Sequence, residues 1–367
     1  MLLIALICGG LVAAELPEGR IAYVSGPRQS EREVRVLDLA TGAVETVCPK
    51  GAHLAPTWSP DGAWLAFESL HDDGSGSVVQ IVRADGSELR SLRHARSWNR
   101  RPMWGPESAR VAYSSSDGDP REEVIQVYDI ATGAETVWGG GRGGLVAPAW
   151  LGRKSLLVPV LQARLKELGG REYDAWSRVV PDPLNALLCV GMAPEAGRLS
   201  SALHVATPDH ALPLPAVALP SEGAYEEWGI RMSPNGRQVA FETNDGGDRE
   251  IYVTSHKGAF CVSNHRAADW NPVWSPDGNR IAFESFRGGR RGVYLANPDT
   301  ARVDPVQAPG RADVWGPSWA PDGRWLAVVT NQSGDADIAV TSRDGDVFEV
   351  VASEAVDELA PAWRPTE

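Results

Sequence analysis

Pro272–Gly278 reads PVWSPDG, and close copies of this stretch recur along the chain. Equivalent tryptophans stand at Trp58, Trp104, Trp150, Trp274, Trp319 and Trp363, and GIRMSPNG puts Met232 in the same place, which makes seven copies. Successive spacings are 46, 46, 82, 42, 45 and 44 residues, all but one nearly equal. A period in the low-to-mid forties, with short strands and Gly-rich turns, marks four-stranded propeller blades. The expected fold class is therefore all-β, a single propeller of seven four-stranded blades, with six or eight as alternatives.

Each unit has a physical logic. Pro-x-Trp forms a short strand, and Ser-Pro-Asp-Gly reverses it, because Pro presets φ and Gly accepts a positive φ. A second strand follows, rich in β-formers: WLAFES at Trp64–Ser69, RVAYSS at Arg110–Ser115, QVAFET at Gln238–Thr243 and RIAFES at Arg280–Ser285. A polar Gly/Asp loop leads to a third strand, and a fourth comes after another tight turn. One four-stranded sheet buries too little by itself, so blades must stack, with the repeat tryptophans as filler between them. The tryptophans and Met232 are thus expected to be structural.

The two ends of the repeat complement each other. Arg20–Cys48 supplies three strands without a preceding Pro-x-Trp strand, while APAWR at Ala360–Arg364 is a Pro-x-Trp strand with nothing after it. The last strand is expected to complete the first blade and close the ring, which removes exposed edges. The 82-residue spacing calls for extra chain in the fourth blade. SLLVPVLQ at Ser155–Gln162 reads as that blade's second strand and SALHVAT at Ser201–Thr207 as its third, leaving an insertion at about 163–199 between them. A decayed eighth blade, echoed faintly by MAPEAGRL at Met192–Leu199, is the alternative.

Composition narrows the function. The 367 residues include 27 Pro and 38 Gly, a load that suits a turn-rich β protein. A formal charge of −13 repels phosphate backbones, so nucleic acid is not an expected partner. Met1–Ala14, MLLIALICGGLVAA, reads as a secretion signal and is short for a membrane span, with the propeller in residues 15–367. A periplasmic or secreted location is expected. The three remaining cysteines, Cys48, Cys189 and Cys261, give no disulfide framework.

With motif and phase in hand, the sequence resembles the TolB-like propellers, whose repeats carry P-x-W-S-P-D-G followed by I-A-F-x-S. The resemblance rests most firmly on Pro56–Gly62, Pro272–Gly278 and Pro317–Gly323 and covers nearly all of the chain after residue 14. It implies a periplasmic protein-binding role. TolB also carries an N-terminal α/β domain, which this reading does not place in the chain. The same repeat occurs in prolyl-oligopeptidase-type peptidases and oligogalacturonate lyases, so the repeat alone does not choose a function.

Catalytic signatures are sparse. No Gly-x-Ser-x-Gly elbow occurs in the sequence, and Gly139-x-Gly141-x-x-Gly144 precedes a Pro-x-Trp strand instead of opening a helix. A lyase-like channel site would gather several histidines round a metal, whereas only His53 lies just before a Pro-x-Trp strand. Neither a metal nor another cofactor is expected. The loops joining strands two and three emerge on the same face as the residues that precede each inner strand. His53, Asn99, Arg100, Asp269, Asp313 and Asp357 are the candidate ligand-binding residues there, with Tyr173 and Trp176 added from the insertion. The reading is a monomeric, non-catalytic propeller that binds a protein, peptide or glycan on the insertion-bearing face; the alternative is a polysaccharide-active enzyme with a channel site.

Overall fold

The computed structural model describes residues 16–92, 96–119, 122–139, 145–151, 187–195, 198–209, 211–213, 227–236, 238–244, 247–255 and 258–366. The strands assemble into seven antiparallel blades: five separate four-stranded sheets and one seven-stranded sheet that holds two blades. In that sheet the long strand Val44–Trp58 serves both as the outer strand of blade one and, past a bend, as the inner strand of blade two. Ring closure is as the sequence predicts: Asp357–Trp363 pairs antiparallel with Arg20–Gly26, so the last strand of the chain is the inner strand of blade one.

The inner strands of blades two to seven are, in order, the end of Val44–Trp58, Trp98–Trp104, Leu145–Trp150, Glu227–Met232, Asp269–Trp274 and Val314–Trp319. Each borders the central channel as a sheet edge. A proline two residues before the repeat tryptophan is tolerable there, because an edge strand need not donate outward and its missing N–H blunts further pairing. Ser-Pro-Asp-Gly behaves as its chemistry requires: Ser275 Oγ donates to Asp277 Oδ1 at 2.6 Å, the Asn279 amide donates to the same oxygen, and Gly278 takes φ 72°. The Asp of this turn stabilises its own turn.

The core lies between blades. Clusters of buried side chains fill the seams, for example Ala240, Ile251, Val253, Trp274, Ile281 and Phe283 between blades five and six. The repeat tryptophans add a directional bond to this packing. Trp104 Nε1 donates to the Thr57 carbonyl at 3.1 Å, Trp150 to Met103, Trp274 to Arg231, Trp319 to Val273, and Trp58 to Ala362. In every case the acceptor is the residue just before the repeat position of the preceding blade. The motif thus writes an interblade hydrogen bond as well as a wedge. Met232 fills the same place but has no N–H to donate.

The fourth blade departs from expectation. Its second strand is Leu187–Glu195, which pairs with Leu145–Trp150 so that Leu187 faces Trp150, and its third strand is Arg198–Ala206. Residues 187–199 are therefore strands and not insertion. The extra chain runs between strands one and two, from residue 151 to 186, and leaves from the end where the other blades carry their Ser-Pro-Asp-Gly turns, the face opposite to the expected one. Any strand can pair with any neighbour of suitable pattern, and Leu187–Glu195 holds the place beside Leu145–Trp150. The segment Ser155–Gln162 itself, Tyr173, Trp176 and Met1–Ala14 lie outside the described residues.

Candidate functional site: the central channel and its mouth

All seven inner strands carry the same irregularity. Pairing with the second strand slips between the fourth and first residues before the repeat position, for example between Leu54 and Thr57, Arg100 and Met103, and Trp270 and Val273. At the third residue before the repeat position the backbone is left-handed: φ is 31° at Ala55, 56° at Arg101, 59° at Gly229, 55° at Asn271, 62° at Gly316 and 53° at Ala360. These are β-bulges, which bend a strand and re-aim its side chains. Four of the six are not glycine, and each such residue costs roughly 1–2 kcal/mol.

The bulge amides find an unusual acceptor. Asn271 N donates to Glu242 Oε1 at 2.7 Å, and Gly316 N donates to Glu284 Oε1 at 3.1 Å. Glu68 accepts in the same way from Arg101. In each pair the glutamate of one blade's Phe-Glu-Ser/Thr strand caps the bulge of the next blade. Arginines neutralise the acids from the rim: Arg291 on Glu284 at 2.7 Å, Arg249 on Glu242 at 3.5 Å, and Arg100 near Glu68 at 3.9 Å. Burial pushes the carboxyls of Glu68 and Glu242 above the usual range, only partly offset by these donors. Gly229 shows how tight the arrangement is, since a Cβ there would lie 2.4 Å from Glu242 Oε1. Gly229→Ala is expected to lower stability by about 1–2 kcal/mol from the left-handed backbone alone, and more as Glu242 is displaced; a thermal melt checks this.

The channel is a cavity of about 550 Å³ to which every blade contributes. Its wall is largely proline and small apolar side chains, with Thr57, Glu68, Arg101, Arg231, Asn271 and Ser318 as the polar residues. Among the described channel-lining residues there is no histidine. Nor, among the described residues, do three His, Cys, Asp or Glu side chains gather as a metal-binding group.

At the mouth on the side of the loops joining strands two and three, blades six and seven expose a compact aromatic patch. Trp270 and Phe286 rings lie 5.3 Å apart, and Phe286 is 52% exposed. The Arg291 guanidinium sits over Trp315 at 5.1 Å and Trp270 at 5.9 Å, held there by Glu284. On blade three Arg100 stacks on Trp98 at 4.1 Å.

Three of the candidates from sequence are seam residues with no surface to offer a ligand. His53 is buried; its Nε2 donates to the Pro49 carbonyl at 2.8 Å, its Nδ1 meets the Ser69 hydroxyl at 2.7 Å, and its ring packs edge-on against Phe67. Burial lowers its pKa and raises that of neighbouring Cys48 to about 11, so this Cys–His contact is a packed pair of neutral groups. Asn99 is buried, donating to the Ser77 and Arg96 carbonyls and accepting from Ser115. Asp269 is buried against Arg287 at 2.6 Å. Arg100, Asp313 and Asp357 remain accessible to solvent; the Asp313 amide donates to Asn331 Oδ1 at 2.8 Å, and Asp357 Oδ1 accepts from the Ala336 amide at 3.3 Å. Sequence reasoning missed Trp270, Trp315, Arg101, Arg231 and the bulge-capping glutamates. A readable signal existed for the first two: a second tryptophan stands four residues before the repeat position at Trp228, Trp270 and Trp315.

Residues 224–367 match the TolB beta propeller domain family. That part of the chain is similar to the TolB propeller family, and the match covers less than half of the 367 residues. No curated protein matches the chain in sequence. Among solved structures, TolB from Acinetobacter baumannii is similar over 94% of this chain and 82% of its own, with 18% identity and a TM-score of 0.53. The β-propeller domain of the Trilobed protease from Pyrococcus furiosus, described as having an open velcro topology, is similar over 92% of this chain and 93% of its own, with 9% identity and a TM-score of 0.63. The acylaminoacyl peptidase of Pyrococcus horikoshii is similar over 92% of this chain, which spans 51% of that enzyme, with 10% identity and a TM-score of 0.60. At such identities the likeness is one of fold. In this propeller Asp357–Trp363 pairs with Arg20–Gly26 and closes the ring. Among its described residues no helix is long and apolar enough to cross a membrane.

Proposed function

We propose that this TolB-like propeller is a secreted or periplasmic, non-catalytic binding protein that takes a protein or peptide segment at the mouth of its channel. The observation that carries this is the patch of Trp270, Phe286, Trp315 and Arg291 at the rim of the channel. Partly exposed tryptophan and arginine on rigid strands are the residue types that dominate binding energy at protein interfaces. Below the patch, Arg101 and Arg231 line the cavity and, among the described residues, neither makes an ion pair, so an acidic side chain or a terminal carboxylate of the bound segment would be favoured there. The apolar segment Met1–Ala14 supports export. The likeness to TolB supports the binding role by analogy only.

The test is capture of partners from the envelope fraction with wild type and with a Trp270→Ala/Trp315→Ala double variant. Affinity for a captured partner is expected to fall at least tenfold, about 1.4 kcal/mol, in a double variant that still folds with a somewhat lower melting temperature, since Trp315 also packs against the core. A folded double variant that binds as well as wild type would move the site away from this rim.

A further inference from the structure

The seam between blades seven and one holds a polar cluster unlike its counterparts elsewhere in the ring. Five residues before the repeat tryptophan, the inner strands bear His53, Asn99, Asp269 and Glu358, all buried. Three of these are answered by neighbours: Ser69 and the Pro49 carbonyl for His53, Ser77 and Ser115 for Asn99, and the Arg287 guanidinium for Asp269. Glu358 is not. It is 0% exposed, and neither of its carboxylate oxygens has a hydrogen-bond partner.

Other groups with the same deficit surround it. Asp337 is also 0% exposed, and its Oδ1 has no partner, while its Oδ2 accepts from the Ser333 hydroxyl. The buried hydroxyls of Ser25 and Thr330 are likewise unsatisfied. Strand register places them together: Ser25 lies opposite Glu358, and Thr330 opposite Asp337, and directly paired residues share a face. The Glu358 amide donates to the Ala336 carbonyl at 2.6 Å, which ties the two strands across the seam. Of the nearby cations, Arg35 pairs with Glu33 and Glu354 and acts on Glu358 only from a distance, and Arg32 lies beside Asp357 with its buried Nε unpaired.

Two carboxylates and two hydroxyls in a fully enclosed seam, with Arg35 acting on Glu358 only from a distance, make an arrangement that burial penalises heavily unless a further positive charge joins it. We propose that this seam binds a hard metal cation of the calcium class, held by Glu358 and Asp337 with Ser25 and Thr330 as hydroxyl ligands. The donor set is all oxygen, with neither histidine nor cysteine, which suits such a cation and not a transition metal; backbone carbonyls and water fill the remaining positions. Because Glu358 sits on the ring-closing strand and Asp337 on blade seven, the cation clasps the ring at its only junction between chain ends.

The experiment uses the full chain, stripped with a chelator and then exchanged into calcium. Metal analysis after exhaustive dialysis is expected to return about one calcium per chain, and calcium at a hundredfold excess over its dissociation constant should raise Tm by on the order of 5 °C. The Asp337→Asn/Glu358→Gln variant should lose both the bound metal and the shift, and should melt in chelator at or above the stripped wild type. If that variant does not fold, wild type decides by itself, through bound metal and the calcium-dependent shift. No bound calcium and no shift in wild type would overturn the proposal. So would a metal-independent protein whose Tm falls as pH rises through about 7, the value to which burial and Asp337 push Glu358 in the cation-free seam, since that behaviour belongs to a proton held by Glu358 among Asp337, Tyr23, Arg35, Glu354, Arg32 and Asp357.

Discussion

Removing Leu359–Glu367 is expected to abolish the folded monomer. The segment carries most of the inner strand of blade one, including Trp363, and its loss strips the pairing from Arg20–Gly26. Trp363 and Leu359 pack in the seam with Ile21, Tyr23, Ala327 and Ile338. Truncating one buried aromatic costs about 3–5 kcal/mol, and a whole domain has only about 5–15 kcal/mol to lose. The deletion removes that side chain and its strand hydrogen bonds together. What remains also exposes the flat edge of Arg20–Gly26, a template for pairing with other chains. Size-exclusion chromatography and a thermal melt should show aggregation or a collapsed transition. A monomeric truncated protein with an unchanged Tm would mean that the ring does not depend on this strand.

Trp274→Ala is expected to cost about 3–5 kcal/mol. Trp274 fills the seam between blades five and six, against Ala240, Val253 and Phe283, and its Nε1 donates to the Arg231 carbonyl at 3.0 Å. Trp274→Phe separates the two contributions: it keeps most of the apolar contact and gives up the indole N–H, a loss of about 1 kcal/mol. Chemical denaturation of both variants reads the difference. The side chain lies inside the seam and not on the channel wall, so partner binding by the folded Phe variant should match wild type. A Phe variant as stable as wild type but unable to bind would reassign the repeat tryptophans to the site.

Much of the candidate site was hidden from sequence reasoning, and the reason is local geometry. A regular strand alternates its side chains between two faces, so counting back from Trp58, Trp104 and Trp274 points His53, Asn99 and Asp269 toward the channel. The bulge three residues before each repeat position breaks that count. Its effect is to send these side chains into the seams and to turn Arg101 and Asn271 toward the cavity. The glutamates of Glu68, Glu242 and Glu284 looked like surface strand residues. Their role as acceptors for the next blade's bulge exists only once blades are neighbours, because donor and acceptor lie about thirty residues apart in the chain.

By itself the sequence determined the all-β class, the seven blades, the turn chemistry of Ser-Pro-Asp-Gly, the wedge role of the repeat tryptophans and the closure by Ala360–Arg364, because each follows from a local pattern repeated at a fixed period. Tertiary structure alone decided where the extra chain of blade four leaves the ring, which polar residues are sealed in seams and which line the channel. It also decided that Glu358 and Asp337 meet in a seam where, among the described residues, no arginine forms an ion pair with either. Those outcomes depend on which strand wins a pairing and on what faces a side chain across a seam. Neither is a property of any stretch of chain taken alone.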